Sequence, residues 1–498
     1  MSYIVHQPIK GRLYAYEVVG KWDPSTRNSK QKRTYIGRVD ENGNIIPKGS
    51  RPAITKIDGA YDFGDLFLVL RISEELNLTA IVKEVFHEDA YPLLILAANR
   101  IIASGSMDLV DVWLSRTYAE MRMPGQRISE LLERAEKGAM EFATRWMRSS
   151  QKEDAIYFDI TSLESYSAKN RFMEWGYSRS GKDEKQINLG IIMGRSMRPL
   201  FFEFYPGSIP DVKTLIRVLE MLKRHDITSV ILVLDRGFYA AYNLRAMKKF
   251  SFVMPLPFKT NAASEIIRIC RHPRNENARM HDGKLLFVDS GTVQIDGIDL
   301  HYIHFLDPER EEREKRRFFE KLMQVESELE HITDVTRVDE LAGRWRKFLS
   351  IGSGLTIRRK TKAITRRLSR MGRTILISDL DLTWNEALDL YRSRDRVEKG
   401  FRNMKSDLGT LPMGVHGDET IQGYLLVQFI ALIIEFEIRK RMRGSAIKGM
   451  MSMRELLMEM SKLRMVKQGD SKMLTEITKK QRGILEAMSI KEKDLVIN

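Results

Sequence analysis

Two aspartates lie in predicted strands, where their carboxylates could hold a hard cation such as Mg²⁺. Asp159 lies inside AIYFDIT, and strand alternation puts it on one face with Tyr157 and Thr161. Asp235 ends the apolar run VILVLD, which predicts a central strand buried on both faces. The carboxyl end of such a strand is where open α/β sheets bind ligands. Taken singly, each aspartate is more typical of a residue that caps a turn.

A third acid lies on a predicted helix over residues 384–405. At about 100° per residue, four polar side chains share a stripe about 60° wide: Tyr391, Arg394, Glu398 and Lys405. This polar stripe borders the apolar stripe that would pack on the sheet. A charge run on a helix is usually a solvated face with ion pairs four residues apart. A solvated face has no need of a tyrosine, two cations and one acid beside the buried face.

The spacing Tyr391-x2-Arg394-x3-Glu398-x6-Lys405 resembles the signature of a large group of insertion-sequence DDE transposases. Asp159 in DITS and Asp235 in LDRGF are similar to the first two catalytic acids of that group. The segment GYSRSGKDEKQINLGIIMG resembles the connection between the group's first two strands. The resemblance covers most of the chain and is strongest over residues 155–240 and 375–435.

The resemblance implies a site and its ligands. The catalytic, metal-binding acids would be Asp159, Asp235 and Glu398. They would bind two Mg²⁺ or Mn²⁺ ions that contact the scissile phosphate. Two hard cations about 3.5–4 Å apart can activate a nucleophile and stabilise the leaving oxygen. Tyr391, Arg394 and Lys405 would contact DNA, Arg394 with its planar fork and Lys405 as a point charge. The implied partners are the element ends and the target DNA, with a homodimer assembled on DNA in the cytoplasm, at the nucleoid of a prokaryote.

Composition sets wider limits. The chain has 498 residues, with 82 Lys and Arg against 67 Asp and Glu, so its net charge of +15 favours a polyanionic partner such as nucleic acid. The single cysteine, Cys270, excludes an intrachain disulfide. The start MSYIVHQPIKGR lacks the apolar run of a signal peptide. The longest uncharged stretch, residues 420–434, is short for a membrane span, so no membrane partner is expected.

The elements that must position the site predict an α/β fold. Three strands (AIYFDIT, INLGIIMG and PLFFEFYPG), a helix and a buried strand follow one another, as in the mixed sheet of the ribonuclease H-like core that the resemblance implies. Ser25 to Arg33 is predicted to be a polar loop, and Thr383 with Glu386 a capping box. The predicted domains are a β-rich N-terminal module (1–58), a helical, DNA-binding region (59–150), the first part of the catalytic core (151–261), an inserted β/helical subdomain (262–372), the second part of the core with the Glu398 helix (373–445) and a helical tail (446–498).

Residues 358–373 contain eight basic side chains and no acid. Arg358, Arg359 and Lys360 are therefore candidate phosphate contacts, and a solvated linker is the alternative.

Other signals are discounted. Gly176-x4-Gly181-Lys182 imitates a phosphate-binding loop, but no helix follows it. His301 and His304 would face opposite sides of a strand and lack cysteine partners for zinc, and Cys270 is expected to be inert.

Two alternative functions stay open. Another metal-dependent nuclease with this fold would usually have a fourth acid, for which Glu164 and Glu203 are candidates. A DNA-binding copy without catalytic activity would not need three intact acids.

Overall fold

The computed structural model forms two compact units. The small unit comprises Met1–Tyr61 and Met465–Thr475, and the large unit comprises Asp62–Arg464 and Glu476–Val496. The structure describes residues 2–9, 12–40, 43–48, 57–149, 153–164, 173–175, 185–225, 227, 229–270, 275–332, 337–352, 356–395, 398, 408 and 417–495.

The strands and helices are numbered along the described residues. The strands are β1 Ser2–Ile9, β2 Arg12–Asp23, β3 Asn28–Val39, β4 Ile45–Pro47, β5 Gly59–Asp62, β6 Ala155–Glu164, β7 Glu174–Trp175, β8 Lys185–Gly194, β9 Pro199–Pro206, β10 Ile231–Val233, β11 Ser251–Pro255, β12 Ala278–His281, β13 Lys284–Ile295, β14 Ile298–Leu306, β15 Leu349–Ile351, β16 Ile357–Arg359, β17 Arg373–Ser378, β18 Arg464–Gln468 and β19 Ser471–Leu474. The helices are α1 Gly64–Glu75, α2 Leu78–Phe86, α3 Ala90–Ile102, α4 Val110–Leu114, α5 Gly125–Glu136, α6 Ala139–Ser149, α7 Asp211–Arg224, α8 Ala241–Ala246, α9 Asn261–Ile269, α10 Pro308–Glu330, α11 Val338–Ala342, α12 Thr361–Leu368, α13 Trp384–Ser393, α14 Asp418–Arg443, α15 Met453–Met460 and α16 Lys479–Ala487.

The small unit is built from antiparallel strands in the order β1-β2-β3-β4. The polar loop predicted over Ser25 to Arg33 is wrong, because β3 already begins at Asn28 and only residues 24–27 form a turn. Residues 28–33 of β3 are all polar and exposed, so they lack the apolar alternation by which a strand is recognised. A second sheet has the order β19-β18-β5. Its hairpin turns at Gly469 (φ 55°) and interrupts the tail that was predicted to be helical.

A mixed sheet organises the large unit, and its ten described strands run β12-β13-β14-β17-β11-β10-β6-β8-β7, with β9 beside β8. The strands β6, β10 and β11 are parallel neighbours, and the other described pairs are antiparallel. The predicted mixed α/β arrangement of the strand that contains Asp159 and the strands that follow it is therefore confirmed. The β strands of the predicted insertion continue this sheet, because β14 pairs with β17. Asp296 and Gly297 form the hairpin turn between β13 and β14, both at positive φ.

Helices cover both faces of this sheet. On one face, the guanidinium of Arg217 from α7 lies 5.9 Å from the ring centre of Tyr205. On the other face, Phe429 from α14 packs against Phe202, with ring centres 4.6 Å apart. Alternation along β9 explains why Phe202 and Tyr205 meet different helices.

Helix α14 is long and apolar enough to cross a membrane, with a mean hydropathy of 1.7 over 18 residues. However, 89% of that window is buried inside the protein, as in the core helix of a soluble protein. At Gly423 the helix approaches α5 so closely that any side chain would overlap the carbonyl oxygen of Leu132. Among the described residues, the pair Leu78–Ile102 and Met107–Leu114 passes the same test only jointly, and it bends by 107°.

The helical part of the predicted insertion has an apolar cluster of its own. Helices α10, α11 and α12 contribute to it, together with β15 and Met371. Its buried members are Phe318, Leu322, Val325, Leu329, Val338, Ala342, Leu349, Ile364 and Met371.

The predicted helix over residues 384–405 begins as expected, with Thr383 and Glu386 forming the capping box. It does not continue without interruption, because α13 ends at Ser393 and Arg394 is its cap residue. The N–H of Arg394 donates to the carbonyl of Tyr391 at 3.2 Å, a three-residue bond that tightens the turn. The N–H of Glu398 then donates to the carbonyl of Arg394 at 3.4 Å. Arg394 therefore lies at a break between two helical turns.

Candidate active site

Asp159 and Asp235 extend from neighbouring parallel strands. In the pairing of β6 with β10, Tyr157 stands opposite Val233, and each aspartate follows two residues later. Adjacent strands lie about 4.8 Å apart, so the two carboxylates reach the same edge of the sheet. Asp235 also caps a turn, since its Oδ1 accepts a 2.6 Å hydrogen bond from the N–H of Arg236. The turn-capping interpretation of Asp235 and its place in a cluster of acids therefore both hold.

The guanidinium of Arg394 joins the second and third acids. Its Nη1 lies 3.3 Å from Oδ1 of Asp235, and its Nη2 donates to Oε1 of Glu398 at 2.7 Å. The side chain of Arg394 is only 12% exposed, against 40% for Asp235 and 48% for Glu398. The structure thus brings a largely buried cation between two carboxylates that remain open to solvent.

The charges around Arg394 also include the first acid. Burial lowers the pKa of Arg394, but the negative charges of Asp235, Asp159 and Glu398 and the neighbouring Tyr391 outweigh burial and raise that pKa. The Nε–H of Arg394 is buried and finds no hydrogen-bond acceptor among the residues that the structure describes. A polar N–H in this position is one that an incoming anion could satisfy.

Tyr391 lies against the same guanidinium. The Cζ of Arg394 lies 5.6 Å from the centre of the Tyr391 ring, within the range of a cation–π contact. Burial raises the pKa of Tyr391, so its hydroxyl stays protonated and can donate a hydrogen bond. Lys405, the last member of the predicted stripe, lies outside the described residues, as does Gly176-x4-Gly181-Lys182.

Glu203, one candidate for a fourth acid, lies on the other face of the sheet. It pairs with Gly190 across β8 and β9, and Gly190 pairs with Ile160. Directly paired residues share a face, and Ile160 alternates with Asp159 along β6. Glu203 instead accepts a 2.7 Å hydrogen bond from the hydroxyl of Tyr205. The side chain of Glu164, the other candidate, is outside the described residues.

The basic run forms strand β16 and helix α12, so the solvated linker is wrong as a description of it. Arg359 makes a two-pronged ion pair with Glu326, with both N···O distances 2.7 Å. Lys360 donates to the carbonyl of Arg346 at 2.8 Å, and Arg358 is exposed. Two of the three predicted phosphate contacts therefore already have protein partners.

A different group in the same run is rich in uncompensated charge. Arg366 and Arg367 are exposed on α12, and burial, followed by repulsion from these two arginines, lowers the pKa of Arg370. Three arginines this close together form a surface that favours an anion. Sequence alone did not separate these residues from Arg359, because the partner, Glu326, is 33 residues away.

Cys270 has polar neighbours that its local sequence does not reveal. Its thiol lies within 4.8 Å of the ligand atoms of Asp289 and His304, which come from β13 and β14. Burial, followed by the charge of Asp289, raises the pKa of Cys270 to about 11, so the thiol stays protonated. Arg373 donates to Nε2 of His304 at 2.8 Å, which leaves the histidine proton on Nδ1, 3.4 Å from Asp289. A metal on Nδ1 would put a second N–H against Arg373, so this cluster fits a buried hydrogen-bond network better than a metal centre.

A protein-family model matches the part of the chain that contains these residues. The family model described as the transposase DDE domain matches residues 150–434, more than half of the chain and a range that contains Asp159, Asp235, Arg394 and Glu398. The chain therefore belongs to the transposase DDE domain family, whose members act on DNA in the transposition of insertion sequences and typically depend on a divalent metal. No curated protein matches the chain by sequence.

Proposed function

We propose that this transposase cleaves DNA at the ends of its insertion element and joins those ends to target DNA, with Asp159, Asp235 and Glu398 as its catalytic acids. The observation that carries the proposal is the guanidinium of Arg394 held between Asp235 and Glu398, with Asp159 on the neighbouring strand. Acids gathered from two strands and a helix around one cation are the kind of oxygen ligand set that Mg²⁺ takes.

The same three carboxylates fit a divalent metal by their chemistry. They offer oxygen ligands only, and Asp235 and Glu398 are partly exposed, so water and substrate oxygens can complete a coordination shell. Two Mg²⁺ or Mn²⁺ ions bound there would supply the nucleophile activation and charge neutralisation of phosphodiester chemistry. Asp159 and Asp235 belong to the first part (151–261) and Glu398 to the second part (373–445) of the predicted ribonuclease H-like core, with 262–372 as the predicted insertion.

The remaining side chains position the DNA. When the carboxylates serve as metal ligands, the planar fork of Arg394 becomes free to hold a phosphate through two parallel N–H donors. Its buried Nε–H would gain an acceptor at the same time. Tyr391 supports the fork by stacking against it and can donate its own hydroxyl to the DNA. Lys405 would add a further positive charge. We further propose that two copies of the chain assemble on DNA, at the nucleoid in the cytoplasm.

The proposed function is tested with the full chain and a duplex that carries the sequences flanking its gene. Wild-type protein should nick and join that duplex when Mg²⁺ is present and do neither after chelation of the metal. An unrelated duplex of equal length is the control for end recognition. Cleavage of both duplexes at equal rates would favour the general nuclease, and binding without any cleavage would favour an inactive DNA-binding copy.

The basic surface gives a second test. Changing Arg366 and Arg367 to Gln should flatten the dependence of DNA affinity on salt by about 1.8 in log–log slope, since each lost phosphate contact contributes about 0.9. Arg359→Gln is the matched control, because Glu326 already neutralises that arginine. DNA binding titrated between low and moderate salt measures both slopes. Equal slopes for the double variant and the wild type would show that α12 does not contact DNA.

A further inference from the structure

We propose that residues 19–33, the end of the hairpin formed by β2 and β3, are an arm that enters the major groove of duplex DNA. This β-arm belongs to the small unit, whose role the family does not define, since the family match begins at residue 150. The inference rests on the proposed function only for the identity of the ligand as DNA.

The β-arm is a ribbon of two strands without a supporting layer. Strand β1 accompanies β2 only as far as the pair Ser2 and Val19, and β4 pairs with β3 only from Gly37 onward. Beyond these points, the described strands pair with each other alone, in the five rungs Val19↔Lys32, Gly20↔Gln31, Lys21↔Lys30, Trp22↔Ser29 and Asp23↔Asn28. Every residue of the arm is exposed except the half-buried Asp23. The described part of the chain therefore leaves both faces and both edges of the arm available to a partner.

One face of the β-arm concentrates positive charge. The arm contains five cations (Lys21, Arg27, Lys30, Lys32 and Arg33) and one acid, and three of the cations, Lys21, Lys30 and Lys32, share one face. The acid, Asp23, is engaged by Lys30 at 2.8 Å, and that hydrogen bond lowers its pKa to about 2. Lys21 and Lys30 stand directly opposite each other, and like charges in a cross-strand pair destabilise a ribbon. An anion between them would remove that repulsion, so the charge pattern fits a polyanion.

The opposite face carries side chains that can read bases. Trp22 is 61% exposed and lies opposite Ser29. Gln31 lies two rungs away on the same face and donates to the hydroxyl of Tyr3 at 3.3 Å. Glutamine, serine and arginine side chains bond to base edges, and flat apolar surface contacts the thymine methyl. A ribbon with lysines on one face and these groups on the other has the chemistry of DNA recognition.

The dimensions agree with a groove. Five rungs at about 3.3 Å per residue give an arm about 13 Å long before the turn. The major groove of B-DNA is about 12 Å wide and about 8.5 Å deep, and it admits a two-stranded ribbon. The major groove of an A-form RNA duplex is too narrow for side chains to read. Duplex RNA is therefore a control that has the same phosphate charge but no major groove wide enough for the arm.

Exposed lysines also have an ordinary role, which is to protect the unpaired edges of a sheet from pairing with other chains. That role explains the lysines but not an exposed tryptophan beside a glutamine and a serine. Pairing of two arms from two copies is opposed by the same lysines. These two alternatives predict that removal of the lysines changes self-association and leaves DNA binding as it was.

The test uses the full chain without divalent metal, so that binding is measured apart from cleavage. The charge variant is Lys21→Gln with Lys32→Gln, which leaves the Lys30–Asp23 pair intact. The matched control is Lys315→Gln with Arg316→Gln on α10, which removes the same charge from two residues already paired with Glu311 and Glu312. The probes are the duplex with the sequences flanking the gene, an unrelated DNA duplex and an RNA duplex of equal length.

The charge variant should flatten the log–log salt slope on both DNA duplexes by about 1.8 relative to the control variant, and leave the slope on duplex RNA unchanged. Trp22→Ala should weaken binding to the flanking-sequence duplex about fivefold or more and the unrelated duplex less. Slopes equal to the control on DNA, or an equal loss on RNA, would overturn the arm as a groove reader, as would a change confined to self-association. If the wild-type chain cleaves DNA and the arm variants bind DNA normally, only the proposal that the arm enters the major groove would be refuted. A chain that never cleaves DNA, but whose arm variants lose binding, would refute only the catalytic proposal.

Discussion

Asp235→Asn is expected to abolish Mg²⁺-dependent cleavage of end-bearing DNA while the protein still binds that DNA. The substitution keeps the side-chain shape and the acceptor for the N–H of Arg236, but it removes the charge that a metal ion and Arg394 both use. Changes outside the ligand shell of a metal typically cost about 10–100-fold, so loss of a ligand should cost more than that. Asp159→Asn and Glu398→Gln should behave in the same way. The measurement is single-turnover cleavage at saturating protein.

Glu203→Gln is the matched control for these variants. Glu203 is a half-buried acid of the same sheet, but it lies on the face opposite Asp159 and bonds to Tyr205. Its variant should cleave DNA at close to the wild-type rate. Thermal unfolding checks that each protein is folded, and DNA binding checks that the phosphate contacts persist. A wild-type rate from any of the three acid variants would remove that residue from the catalytic set, whereas loss of cleavage in folded Glu203→Gln would restore the four-acid nuclease.

Local patterns predicted the part of the fold that presents the acids. The apolar run before Asp235 and the alternation around Asp159 each depend on burial by the sheet, so they appear directly in the sequence. The capping box of Thr383 and Glu386 is a contact between residues three apart, which a sequence can encode by itself. The family signature then added the third acid, whose distance along the chain no local pattern could bridge.

Features that depend on long-range contacts were not predictable. The meander over β12–β14 was expected to belong to an inserted subdomain, and only the pairing of β14 with β17 reveals that it extends the main sheet. The partners of Cys270 come from other strands, so the residue looked isolated in the sequence. Residues 28–33 of the β-arm were assigned to a loop because they are all polar and exposed and have no apolar period. The helix break at Arg394 could not be predicted, because no proline or glycine lies beside it in the sequence.

Arg394→Ala is expected to move two measured quantities in opposite directions. Cleavage of end-bearing DNA should fall about tenfold to a hundredfold or more, because a charge-assisted contact to phosphate is typically worth about 1.5–3 kcal/mol. Affinity for Mn²⁺ should stay the same or rise, because the guanidinium that occupies Asp235 and Glu398 competes with a metal for these carboxylates. Arg394→Lys should recover little cleavage, since an ammonium group cannot reproduce the two-pronged fork.

Arg392→Ala provides the control on the same helix. Arg392 contacts His281 and Asp282, which are not among the proposed catalytic acids. Its Nη1 lies 2.7 Å from Nδ1 of His281 and 3.3 Å from Asp282. Its removal should leave both cleavage and Mn²⁺ affinity near the wild-type values. If Arg394→Ala lost Mn²⁺ affinity together with cleavage, Arg394 would act by holding the carboxylates in place and not by binding phosphate. If it cleaved DNA at the wild-type rate, the contacts of Arg394 with Asp235 and Glu398 would be structural ion pairs only, and the stripe on the Glu398 helix would lose its proposed role in DNA binding.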